Sequence, residues 1–136
     1  MATYTVRTEV SLPYETAVAA TRTALDEQGF GILTEIDLAA TLNAKLGVDL
    51  PPQLILGACR PPLAYEALQA DPAIATVLPC NVVVRATALG GTVIEALDPS
   101  VMMGLSDDPA LHAVATDARL RLTDALATLT ALNQET

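Results

Sequence analysis

From Thr3 to Ser11 the residues Tyr4, Val6, Thr8 and Val10 alternate with Thr5, Arg7 and Glu9, the period-two pattern of a strand with one buried face. Pro13 stops that strand. Tyr14, Ala17, Val18, Thr21 and Leu25 then recur at helical spacing, and Gly29 supplies the stop for a helix of about four turns. Phe30 to Ile36 reads as a second strand. Asp37 is placed to cap a short helix through Leu38, Leu42 and Leu46, which Gly47 closes. Gln53 to Ala58 is too short and too continuously apolar for an exposed helix and predicts a central strand. Pro61 and Pro62 suit the first turn of a helix carrying Leu63, Ala64, Ala67 and Leu68, because that turn leaves its N–H groups unpaired in any case.

Pro72 and Pro79 bracket a turn-like segment. Asn81 to Ala88 and Thr92 to Leu97 predict two apolar strands joined through Gly90-Gly91 as a hairpin. Asp98-Pro99 ends the hairpin, and Ser100 to Leu105 reads as one loose turn. Beginning at Asp108-Pro109, the residues Leu111, Val114, Ala115, Ala118, Leu122, Ala125, Leu126, Leu129 and Leu132 share one face of the longest predicted helix. The order β-α-β-α-β-α-β-β-α, without linker or repeat, predicts one α+β domain over residues 1–136. Its expected architecture is two-layered, a largely antiparallel sheet covered by helices. The hairpin argues against a doubly wound parallel fold.

Composition narrows the function classes. Apolar residues make up 51% of the chain and charged residues 17%, so most of it must pack, and its length suits a single core. Apolar stretches such as Leu54 to Cys59 fall far short of the roughly 18 residues a spanning helix needs. Met1 to Arg7 shows no basic, apolar and small-residue succession of a signal peptide, so a cytoplasmic location is expected, with thiols rather than disulfides. A net charge of −9, with no Lys or Arg stripe, argues against nucleic acid and anionic membrane as partners. The aromatic set, Tyr4, Tyr14, Phe30 and Tyr65, is too small to furnish stacking platforms.

The candidate chemistry centres on Cys59 and Cys80. Cys59 precedes the Pro61-Pro62 helix and adjoins Arg60, a setting expected to favour thiolate. Cys80 begins the following strand, and the two sulfurs approach each other if those strands are antiparallel neighbours. Two soft ligands, joined by the thioether of Met102 or Met103, suit Cu(I) or another soft metal; two nearby thiols also suit redox or sulfur handling. Packed core thiols and a structural disulfide are the other readings. Neither a C-x-x-C pair nor a four-ligand zinc pattern is present. The single histidine, His112, could complete a metal site with the cysteines or serve Cys59 as a base, but a solvated surface residue is the favoured reading. Glu35 and Asp37, two apart, form a candidate carboxylate pair, although a solvated Glu35 and a capping Asp37 also explain them. Gly29 and Gly31 precede a strand rather than a phosphate-binding helix, so no nucleotide motif exists and the cofactor stays unassigned.

Gly29 to Asp37, Leu46-Gly47-Val48-Asp49, Leu56-Gly57-Ala58-Cys59 with Pro61 and Ala64, Leu78 to Val84, and Asp98-Pro99 with Met102 occur in this order along nearly the whole chain. Together they resemble the family known as domain of unknown function 302. The resemblance implies a fold like that of the TATA-binding protein, homodimers, and no established activity. Both cysteines fall within the family pattern; Arg60 departs from it, family members often carrying Asn there. The expectation that follows is a homodimeric binding or sensing module. Its cleft would be lined by Cys59, Cys80 and Met102, with Glu35 as a further candidate, and would hold a soft metal ion or a small sulfur-containing or apolar ligand. A thiol-dependent enzyme using Cys59 and a structural protein with inert cysteines are the alternatives.

Overall fold

A computed structural model describes residues 2–135, and side-chain environments over 2–132. Five strands, β1 (Thr5–Val10), β2 (Gly31–Asp37), β3 (Gln53–Cys59), β4 (Cys80–Ala86) and β5 (Thr92–Leu97), form one sheet in the order β1-β5-β4-β3-β2. Every neighbouring pair is antiparallel. The helices are α1 (Tyr14–Glu27), α2 (Leu38–Leu46), α3 (Pro61–Ala70) and α4 (Pro109–Glu135), with 3-10 turns over Pro72–Val77 and Pro99–Gly104. The element order and the α+β class are those the apolar pattern predicts.

Local chemistry accounts for the boundaries. Gly29, at φ +83°, ends the turn after α1, and Gly47, at φ +68°, closes α2. The Asp37 carboxylate accepts from the Ala40 N–H at 2.9 Å, which makes it the cap of α2. The predicted two-glycine hairpin is a longer loop over 87–91. Thr87 N–H donates to the Gly91 carbonyl at 2.9 Å and Gly91 N–H to Thr87 Oγ1 at 3.2 Å, so β4 ends at Ala86 rather than Ala88.

The cross-strand rows Val6, Ala96, Val82, Leu56 and Thr8, Ile94, Val84, Leu54 lie on the core face. Over them α1 and the C-terminal half of α4 pack Ala17, Leu25, Leu122 and Leu129, all buried. The expectation of one core needs amendment, because a second buried cluster joins Leu63 and Ala67 of α3 and Ile74 and Met102 of the 3-10 turns to Leu111 and Ala115 of α4. Length explains the division. A helix of 27 residues extends about 40 Å, whereas strands of 6 or 7 residues extend only about 20–24 Å. The N-terminal half of α4 therefore overhangs the sheet, and α3 and the two turns cover its apolar stripe.

Candidate functional site at the seam between the two clusters

Between the clusters lies a cavity of about 30 Å³. Phe30 and Ala58 wall it from the sheet side, and Leu63, Ala67, Val114 and Ala118 from the overhang. Its remaining walls include Cys59, Cys80, Met102 and Arg60. Each arrives on a different segment. Cys80 opens β4, opposite Ala58, two residues before Val82 on the same core-facing side. Cys59 ends β3 opposite Gly31, where the chain turns into α3. Met102 stands in the 3-10 turn after β5 and is only 7% exposed. The antiparallel pairing of β3 with β4, left open by the sequence, is what brings the two cysteines to one cavity.

Glycine makes the approach of the strands possible at this end of the sheet. A Cβ on Gly57 would meet Thr34 Oγ1 of β2 and would lie 2.8 Å from Pro79 Cγ, so no other residue fits between them. Leu33 is passed over in the β2–β3 register, which shifts between Ile32 and Thr34, and it points outward at 64% exposure.

The turn that carries Met102 is anchored by Asp98, a residue the sequence presents only as a turn former. Its carboxylate accepts from the Ser100 N–H at 2.9 Å and from Arg119 Nε of α4 at 3.1 Å. Burial raises the Asp98 pKa, but the Ser100 and Arg119 contacts outweigh it and hold the carboxyl below its ordinary range. The 3-10 turn is thus tied to the helix that roofs the cavity.

The thiols are free and half-buried. Burial pushes Cys59 above the usual thiol value, and Cys80 is raised by burial and further by charge on Cys59. The expected activation of Cys59 is therefore reversed. Pro61 and Pro62 take the first positions of α3 and have no N–H to offer an anion, and desolvation raises the pKa of the thiol. A buried thiol kept protonated is a weak nucleophile at neutral pH.

Glu35 is not brought to the cavity. It lies on edge strand β2 and pairs with Arg22 of α1 at 2.7 Å, with its side chain 53% exposed. His112 also lies apart, its Nε2–H donating to the Ser106 carbonyl at 2.6 Å. Among the described residues, no group of three or more His, Cys, Asp and Glu side chains is arranged around a metal position. Nor is any helix long and apolar enough to cross a membrane.

A five-stranded antiparallel sheet packed with helices, with a sulfur-lined cavity where α4 leaves the sheet, defines a small α+β domain. The chain belongs to the family described as Domain of unknown function DUF302, which matches residues 5–129. A solved structure similar to it is an uncharacterized conserved DUF302 protein from Bacillus stearothermophilus. The two superpose with a TM-score of 0.84 at 30% identity, covering 93% of this chain and 98% of the other. No curated protein matches the chain.

Proposed function

We propose that the protein is a binding module for a soft monovalent metal ion of the Cu(I) or Ag(I) class, held by Cys59, Cys80 and Met102. The observation that carries this reading is that all three sulfur-bearing residues line one cavity, and no carboxylate or imidazole lines it with them. Size discriminates among the ligands that two cysteines suggest. At about 30 Å³ the space is enough for one or two water-sized bodies. Pockets for organic ligands begin near about 300 Å³. An ion fits there, and an extended apolar molecule does not.

The donor set agrees with the size. Thiolate and thioether sulfur select soft cations, whereas zinc ordinarily takes four ligands and hard cations take oxygen. The raised thiol pKa values weigh against an enzyme that relies on a standing Cys59 thiolate. They are compatible with metal binding, because the cation displaces the protons: the ion bonds to both sulfurs and two protons leave to solvent.

Anaerobic Cu(I) titration against a chromophoric chelator tests the reading. The wild-type protein is expected to retain one equivalent, Cys59→Ser and Cys80→Ser none, and Met102→Leu one equivalent held more weakly. A wild-type protein that yields all copper to the chelator while both thiols remain titratable would contradict it.

A further inference from the structure

We infer that Asp98 and Arg119 decide how many sulfurs the site offers its ion: their ion pair holds the thioether of Met102 at the cavity as a third donor beside Cys59 and Cys80. The inference rests on the metal-binding reading above and deepens it. The three donors are not fixed equally. Cys59 and Cys80 stand on β3 and β4, whose pairing places Cys80 opposite Ala58, the residue before Cys59. Met102 comes from a 3-10 turn of 6 residues, a short element whose hydrogen bonds are poorer than those of an α-helix. Its side chain also turns about three bonds. The thioether is therefore the donor whose place other residues must secure.

Asp98 ties that turn on three sides. Its N–H donates to the Tyr4 carbonyl at 2.9 Å, joining it to the chain that leads into β1. Its carboxylate accepts from the Ser100 N–H at 2.9 Å and from Arg119 Nε at 3.1 Å, so one side chain both caps the turn and fastens it to α4. The Asp98 side chain is only 15% exposed, which lessens the solvent screening that weakens surface pairs. The other arginine–carboxylate pairs have different spans. Arg121–Asp117 lies within one turn of α4, Arg85–Glu95 between adjacent strands, and Arg22–Glu35 between α1 and β2. Arg119–Asp98 joins the turn that bears Met102 to α4, immediately beside the cavity-lining Ala118.

Neither Asp98 nor Arg119 lines the cavity, so both are positioning residues that act on the ion through Met102. Met102 is 7% exposed and shares a buried cluster with Leu111, Ala115 and Ala118 of α4. A turn released from α4 therefore takes the thioether with it. With the pair intact the ion meets two cysteine sulfurs and a thioether; with the pair broken the two cysteines alone remain. The ion is then held by fewer bonds and more weakly.

The test measures Cu(I) affinity by competition with a chromophoric chelator, and the number of sulfur ligands by copper X-ray absorption, for wild type, Asp98→Ala, Arg119→Gln, Arg119→Lys and Met102→Leu. Asp98→Ala is expected to lower the affinity by about fivefold or more, the loss that a helix cap or an ion pair commonly carries, and to remove one sulfur ligand. Arg119→Gln changes a side chain that is 48% exposed and is tolerated by the fold, so it carries the test where Asp98→Ala does not fold. It should weaken binding in the same way, and Arg119→Lys should recover it. In a Met102→Leu background neither Asp98→Ala nor Arg119→Gln should cause a further loss, because each acts through the thioether. Wild-type affinity and an unchanged sulfur count in Arg119→Gln and Asp98→Ala would overturn the inference and leave the metal site standing. A loss of equal size with and without Met102 would also overturn it, by making the pair a general support of the fold. Wild-type protein that binds no Cu(I) would overturn both readings together.

Discussion

Cys59 and Cys80 hold their protons because they are partly withdrawn from water, and Cys80 also because charge on Cys59 opposes its ionisation. With both pKa values raised, the thiolate fraction at neutral pH is below that of a free cysteine and grows only as pH climbs past the ordinary thiol range. Iodoacetamide should therefore label both residues more slowly than it labels free cysteine at neutral pH, with Cys80 the slower, and the rates should rise steeply on the alkaline side. Mass spectrometry of quenched time points at several pH values checks this, and a cysteine labelled faster than free thiol at neutral pH would contradict it. The cysteines were legible as candidates from their type alone, since soft ligands are scarce in this chain. Their protonation was not. It depends on burial, which a reading of sequence neighbours does not see, and the two prolines at the start of α3 leave no N–H there to favour a thiolate.

At the scale of elements, the site depends on how closely three strands meet. Gly57 of β3 lies against Thr34 of β2 and against Pro79, which leads into β4 through a cis Leu78-Pro79 peptide bond. Gly57→Ala is expected to destabilise the fold by about 1–3 kcal/mol, the usual cost of overpacking. It should also weaken Cu(I) binding, since β2 and the Pro79 segment must move away from β3. Urea unfolding monitored by circular dichroism measures the first effect; a midpoint equal to wild type would contradict the close approach. The strands and helices themselves were readable from period-two and period-3.6 patterns, because each buries one face. The sheet order was not, since β5 lies between β1 and β4 through long-range pairing that no local pattern encodes. The Gly90-Gly91 loop was misjudged for a related reason: Thr87 pairs across the loop with Gly91, which shortens β4 and lengthens the connection. Glu35 was drawn into the candidate set by its spacing from Asp37, but its place on the edge strand gives it Arg22 as partner.

For the whole molecule, α4 decides where a site can exist. Its stripe of apolar residues, visible in the sequence, is longer than the sheet it packs on, so one helix serves two buried clusters. A cavity at their junction follows from that mismatch, and the ends of β3 and β4 and the turn bearing Met102 open onto it. Asp98, joined to Arg119 of α4, keeps that turn against the helix. The domain thus gathers three sulfur-bearing side chains at the seam between its two clusters, with no acidic or imidazole side chain lining the cavity beside them. Copper K-edge X-ray absorption on the Cu(I)-loaded protein tests this most directly. The account predicts a first shell made only of sulfur, with one sulfur scatterer fewer in Met102→Leu. A shell containing nitrogen or oxygen, or one unchanged by Met102→Leu, would contradict it.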